Sequence, residues 1–466
     1  MIMRKLFFVS LIGMLFSSIL FAQPASLKMA DAVLRNDYDK VKELLDSGIN
    51  PSIKTSAKVS VLQMAIQNNC YEIAKLLVEK GADVNATDAY KCSVLHFAYK
   101  LPMARLLLEN GAKIDALYMN MTVPEFFAEK FPYTSESRKA KQLSELKKMN
   151  LPKPSYDHAV KVSKSQWLTK QEILDMVKLY DEFGYDFSKL RGRKEKVNAL
   201  FIAALADNYE YIQGVIDLEK YDFNFYCPPY KQTILGILTN ASTEGRTVAE
   251  YDAIVSSLVS HKVEIDKMSF LGSEMKSPLM IASDLDNLNR SNVLMKYGAS
   301  VTITNEKGRT ALFFAKSLPV MKALEAKGGD LLAKDKWDQT LLFGKEDTAL
   351  LSYLLSKGVK INDVDDEGKN ALFSVRKPAA LIFLLSKGAN INQLTNDGES
   401  IMEVDVQYMH SAMLHDNDLT DEYIEKFKIL LKNNIKKESA QKAYDFLKNA
   451  SFDYTNVMKV IEPYLK

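Results

Sequence analysis

The segment from Asn305 to Lys334 reads NEKGRTALFFAKSLPVMKALEAKGGDLLAK, and the chain then restates it. The next copy begins DKWDQTLLFGKEDTALLSYLLSKG, and the third, Asp365 to Leu394, is DDEGKNALFSVRKPAALIFLLSKGANINQL. Thr310 returns as Thr340, and Gly298, Gly328, Gly358 and Gly388 stand in register at a spacing of 30. Within each unit a polar turn such as NEKG precedes a short apolar segment, TALFFA, whose residues suit a helix. Pro319 then opens a second apolar helix, VMKALEAKG, closed by a glycine. Proline is tolerated at a helix's first position because its missing amide is unpaired there anyway, and glycine suits the left-handed residue just past the end. The unit is therefore turn, helix, helix, turn. One such unit cannot bury its apolar face alone, so neighbours must stack.

From Ser60 the chain reads SVLQMAIQNNCYEIAKLLVEKGADVNATD, which resembles the ankyrin repeat, including that family's GADVNAxD ending at Gly81 to Asp88. SVLHFA at Ser93 to Ala98 is similar to the family's TPLHxA, with Ser93 for threonine, Val94 for proline and His96 in the histidine's place. Gly48 to Gly81 is 33 residues, the family's period. The resemblance implies an all-α, ankyrin-like helical solenoid of roughly ten or more stacked helix-turn-helix units with short hairpin turns. It also implies that His96 packs and hydrogen-bonds rather than catalyses. The later units are shorter: Ser60 to Gly81 spans 21 positions, whereas Ser93 to Gly111 and Thr310 to Gly328 span 18. What is missing corresponds to NNCYE at Asn68 to Glu72, the joint between the helices, and Pro102, Pro319 and Pro378 fall at or near that joint.

Read outward, the chain divides into a signal peptide (1–22), a first repeat array (23–131), an irregular insert or linker (132–167), a second array with degenerate repeats (168–438) and a helical cap (439–466). The first array ends in a degenerate unit at Thr122, TVPEFFAEKF. The insert holds a basic stretch, SRKAKQLSELKK, expected to be a helix, and LPKPSY, whose prolines favour a linker. The unit beginning at Glu399 carries an insert, VQYMHSAMLHDNDLTDE, before its second helix.

At the start, Arg4 and Lys5 precede an uncharged apolar run from Leu6 to Phe21 and then Ala22, the layout of a secretory signal peptide with cleavage expected after Ala22. An uncleaved membrane anchor is the alternative, although a comfortable span wants about 20 apolar residues. Removing residues 1–22 takes away two of 61 basic residues and no acid, leaving 59 against 59. The neutral mature chain lacks the overall charge that binding nucleic acid or anionic lipid calls for. Cys70, Cys92 and Cys227 are too few and too scattered to staple a secreted domain, and no disulfide is expected. Export without disulfides points to the bacterial periplasm, with secretion to the outside or into a host as the alternative.

Asp363, Asp365, Glu367 and Gly368 open like a calcium loop, but the twelfth position is Ser374 where that loop needs a bidentate glutamate. The acid and glycine there belong to the repeat's turn. His410 and His415 are five apart, so one helix does not bring them to one face, and no HExxH is present. With no glycine-rich phosphate loop, no GxSxG and no cysteine with an evident histidine partner, no catalytic residue, metal or cofactor is assigned. The function expected is that of a non-enzymatic protein-protein interaction scaffold of the bacterial envelope, with no small-molecule substrate. The partner-binding candidates are aromatic and basic residues at hairpin tips: Trp337, Lys336, Arg309 and Lys369 in the regular units, pointing to one side, and Tyr90 in DAYKCS. Each ring could instead lie on the adjacent hairpin. Two alternatives come from other classes: a small catalytic or ligand-binding domain hidden in residues 132–230, and a membrane-tethered spacer.

Overall fold

The structure is a computed structural model that describes residues 24–131, 136–149, 151–165, 167–190, 197–227, 231–241, 246–415 and 419–466. Residues 1–22, expected to be a signal peptide, lie outside the described residues. Among those residues no helix is long and apolar enough to cross a membrane. The chain divides into two compact units, one ending at Val263 and the other beginning at Glu264. Each is built from stacked helix pairs, the all-α solenoid architecture expected from the repeat.

The first unit contains α1 (Ala25–Leu34), α2 (Tyr38–Asp46), α3 (Val61–Gln67), α4 (Tyr71–Glu79), a 3-10 turn at Val94–Phe97, α5 (Leu101–Glu109) and α6 (Val123–Lys130). It continues through α7 (Glu136–Lys148), α8 (Lys153–Ser165), α9 (Lys170–Glu182), α10 (Ala199–Leu205), α11 (Tyr209–Ile216), α12 (Ile234–Asn240) and α13 (Val248–Ser260). First helices pack on first helices: α1 on α3, α3 on the 3-10 turn, the turn on α6, α6 on α10, and α10 on α12. Second helices form a parallel layer in which α2 meets α4, α4 meets α5, α5 meets α9, α9 meets α11 and α11 meets α13.

That pairing corrects the reading of the middle of the chain. The degenerate segment at Thr122 supplies the first helix of a repeat, α6, and α9 is its second helix, so the repeat is interrupted rather than the array. What interrupts it is the helical hairpin α7–α8. The prolines of LPKPSY do not make a linker: Pro154 is the second residue of α8, in the first turn where a missing amide costs nothing. Of the stretch considered for a separate domain, α9, α10 and α11 lie in the stack. Across it Arg246 is buried against Glu210 (2.9 Å to both carboxylate oxygens) and the Asp207 carbonyl oxygen (2.6 Å), tying the entry of α13 to α11.

The second unit opens with a two-stranded antiparallel hairpin, β1 (Ser269–Leu271) and β2 (Glu274–Lys276), with Ser269 opposite Lys276. Then come α14 (Pro278–Asp284), α15 (Leu288–Lys296), α16 (Ala311–Phe314), α17 (Leu318–Glu325), α18 (Thr348–Ser356), a 3-10 turn at Ala371–Ser374 and α19 (Pro378–Ser386). The unit ends with α20 (Ile401–Met413), α21 (Thr420–Lys432), α22 (Lys437–Asn449) and α23 (Thr455–Leu465). Of the segment read as an insert before α21, residues 406–413 lengthen α20 and residues 420–422 open α21 itself. Gly298, Gly328, Gly358 and Gly388 all sit at φ of 89–95°, the left-handed end of each second helix.

The thirty-residue units differ from the longer one by a helical turn. α3 has seven residues and α16 has four, a loss of three, close to the 3.6 of one turn. The left-handed joint residue of the long units, such as Asn69 at φ 57° or Asp286 at φ 53°, disappears with it. Extended residues Ala315 (ψ 127°) and Val375 (ψ 132°) stand in its place. The deletion therefore removes the end of the first helix as well as the joint to which the sequence reading confined it. In the unit between, Leu341–Gly344 forms only a turn.

A one-turn helix exposes carbonyl groups that a longer helix would have paired. Lys345 answers them: its Nζ donates to the carbonyl oxygens of Phe313 and Ala315, each at 2.6 Å, one unit upstream. The lysine is only 5% exposed. Burial pulls its ammonium down to about 7, while the ring of carbonyl oxygens works the other way by holding the proton. The same seam continues downstream. The Gly344 amide donates to Ser374 Oγ (2.9 Å), and the Glu346 carboxylate accepts from the Arg376 and Lys377 amides (2.8 and 2.9 Å) at the start of α19.

Candidate functional site

Each hairpin in the regular units is organised by a buried side chain at the same register position. Asn305, Asp335 and Asp365 each accept two backbone amides of their own turn through Oδ1, those of residues two and four further on, at 2.9–3.1 Å. Thr395 closes the series, its Oγ1 accepting from Glu399 at 3.1 Å. With its shape fixed locally, each hairpin is joined to the next by a backbone bond. The Lys336 amide donates to the Lys307 carbonyl (3.0 Å), Asp366 to Trp337 (2.9 Å) and Asn396 to Glu367 (2.9 Å). The approach is close enough to need glycine: a Cβ at Gly368 would lie 2.7 Å from Asn396 Oδ1, and one at Gly308 would lie 3.0 Å from the Lys336 nitrogen.

On this ladder the candidate residues take distinct roles. Trp337 keeps 39% of its surface exposed, and the Arg309 guanidinium lies 5.5 Å from its ring centroid. Arg309 is held there by Asp335 (Nε to Oδ2, 2.9 Å) and by Gln339 (3.1 Å). Gln339 in turn reaches Asp365, whose carboxyl is raised above the usual range by burial despite the amides that it accepts. The ring thus lies against the preceding hairpin's arginine, as in the reading that packs it on an adjacent hairpin, and still presents a face to solvent. Lys336 is exposed at the tip, and Lys369 pairs with Glu367 of its own hairpin instead of extending the row. Tyr90 belongs to the first unit, 60% exposed on a hairpin whose Asp88 accepts the Tyr90 and Cys92 amides (2.9 and 3.0 Å). Leu117 and Met119, on the following hairpin, are exposed as well.

A row that the sequence reading passed over lies beside the ladder. Phe313, Phe343 and Phe373 recur at a spacing of 30 and are all half-buried. They occupy the register position of His96, which is fully packed in the first unit. The signal for them was the register itself, hidden because an apolar residue in a short helix reads as core.

The remaining motifs are structural. His96 is 3% exposed, its Nδ1 2.7 Å from Ser93 Oγ and its ring edge-on to Tyr118 and Phe126. Burial pulls it down to about 4, although the Met121 and Ser93 backbone and the Asp88 charge push the other way. The first unit should therefore be most stable above about pH 6.5, where the unfolded histidine is already neutral, and lose stability as pH falls through 4. Urea titrations at pH 7, 5.5 and 4 check this, and a His96→Gln variant should flatten the part of the slope due to this group. Asp365 serves its turn, as the calcium-loop residue was expected to do. His410 joins a ring cluster with Phe446 and Phe452, 3.1 Å from the Tyr454 hydroxyl, and His415 Nδ1 meets the Ser411 carbonyl at 2.9 Å. Cys70, Cys92 and Cys227 are buried thiols that form no disulfide among the described residues. Among the described residues no group of three or more potential ligands is placed to hold a metal ion.

Residues 29–117 match the family model described as ankyrin repeats, in three copies. An ankyrin repeat protein of fowlpox virus (strain NVSL) is similar to the chain, 32% identical over 69 residues. The similarity covers 15% of this chain and 9% of that protein. The chain thus carries ankyrin repeats, a fold unit that in general mediates protein-protein interaction.

Proposed function

We propose that the protein is a non-enzymatic scaffold that binds a protein partner on the hairpin and first-helix surface of its regular repeats. The observation that carries this reading is the hairpin ladder between Asn305 and Glu399. Buried side chains and backbone bonds fix the tips, so the partly exposed Trp337 and the row of Phe313, Phe343 and Phe373 are positioned before a partner arrives, which lowers the ordering cost of binding. The export pattern at residues 1–22 supports a place in the bacterial envelope, in the periplasm or outside the cell. Fractionation decides between these: a mature chain beginning at Gln23 in the soluble envelope fraction is expected, and full-length protein in the membrane would overturn it.

Trp337→Ala is expected to weaken partner binding by about 2 kcal/mol or more, the scale of an interface anchor. Its effect on stability should be about 0.5–1 kcal/mol, the Arg309 stacking being lost. Capture of partners from the native envelope by wild type and variant reads the first, and urea melts the second. Equal capture by both would show that binding uses another surface.

A further inference from the structure

The neutrality of the mature chain conceals a local excess of charge. Residues 132–167 hold eight lysines and arginines against three acids, a net +5, so the rest of residues 23–466 carries −5. This charge sits on the α7–α8 hairpin, which enters and leaves the stack between the two helices of one repeat. The only substantial packing partner of each helix, among the described residues, is the other. Trp167 marks the base: its Nε1 donates to Gln142 Oε1 at 2.8 Å, Lys139 lies 5.4 Å from its ring centroid, and its carbonyl accepts from Lys100 at 3.1 Å. Thirteen residues of helix at 1.5 Å each put the far end about 20 Å away along the hairpin. There the chain reads KKMNLPK from Lys147 to Lys153. Lys147, Lys148 and Lys153 are exposed and form no ion pair among the described residues, while Met149 and Leu151 between them are half-buried.

We propose that this lysine-ringed apolar tip docks on anionic phospholipid headgroups. A convex tip of two short helices offers far less area than the roughly 800 Å² per partner of a specific protein interface, whereas a lipid surface needs only charge and a few apolar side chains at the acyl boundary. Nucleic acid fits less well, because the tip has neither an aromatic residue to stack on bases nor an arginine to fork onto phosphate. The site is separate from the hairpin ladder, so it stands or falls independently of Trp337.

The test is co-sedimentation of the full chain with phosphatidylcholine vesicles and with mixed phosphatidylcholine–phosphatidylglycerol vesicles. Residues 1–22, which include Arg4 and Lys5, are common to wild type and variants, so the difference between them on each composition is the readout. Wild type should favour the anionic vesicles, less so as salt rises. The K147E/K148E/K153E variant should lose about a hundredfold of that partitioning, near the roughly 1 kcal/mol that each lysine contributes at such a surface. If the triple reversal lowers the melting midpoint, K147Q/K148Q/K153Q is read in its place. Equal binding of wild type to both vesicles, or an unchanged preference in the variant, overturns the proposal. Retention of an acidic peptide or a single-stranded oligonucleotide without anionic-vesicle preference would assign the tip to a different class of partner.

Discussion

Replacing Lys426 with methionine is expected to destabilise the second unit by about 3–5 kcal/mol. Lys426 on α21 and Asp405 on α20 are both almost wholly buried, with Nζ 3.1 Å from Oδ1 and 2.9 Å from Oδ2. Burial raises the Asp405 carboxyl above the usual range even with the ammonium beside it. Removing the ammonium leaves that carboxyl buried without its ion-pair partner, and the cost of breaking a buried pair exceeds the net value of the pair. An Asp405→Leu, Lys426→Met double variant, which removes both charges, should therefore recover most of the loss. Urea unfolding of the single and double variants makes the comparison, and a single-variant loss below about 1 kcal/mol would count against the pair as described.

Lys345→Met is expected to cost about 2–5 kcal/mol, from leaving the Phe313 and Ala315 carbonyls without their donor. Methionine keeps most of the buried stem, so the loss reports the ammonium rather than a cavity. The damage should also be local. Amide exchange should quicken in residues 305–394, where the Lys345 seam joins adjacent units, and stay unchanged in the first unit. Uniform acceleration through both units would contradict this.

These two lysines mark where sequence reasoning stopped. The repeat itself was legible because glycines at helix ends and prolines at helix starts must recur with the unit. Leu312, in the apolar segment TALFFA, is fully buried. Lys345 was not legible, because a lysine after glycine in FGKED reads as a solvated turn. It becomes a buried cap only once the upstream first helix has shrunk to one turn. Lys426 was hidden for a related reason: its partner Asp405 lies 21 residues away, in a helix lengthened by what looked like an insert. The pairing of α6 with α9 was obscured by the helical hairpin lodged between them. At the candidate surface, the register placed Arg309 and Trp337 on adjacent tips, but only the Asp335 carboxylate explains why the arginine folds over the ring.

The hairpin ladder bears on how such an array changes in length over generations. Its rungs are bonds between backbone amides and carbonyls 29 residues apart, Lys336 to Lys307, Asp366 to Trp337 and Asn396 to Glu367, and so place little demand on most side chains. Duplicating ninety nucleotides of coding sequence would add a rung whose upper and lower bonds are already specified. An insertion within a hairpin would break its register with both neighbours. Recombination between neighbouring copies is thus steered toward whole-unit gain and loss, while point changes at the tips re-letter the surface without disturbing the frame that carries it.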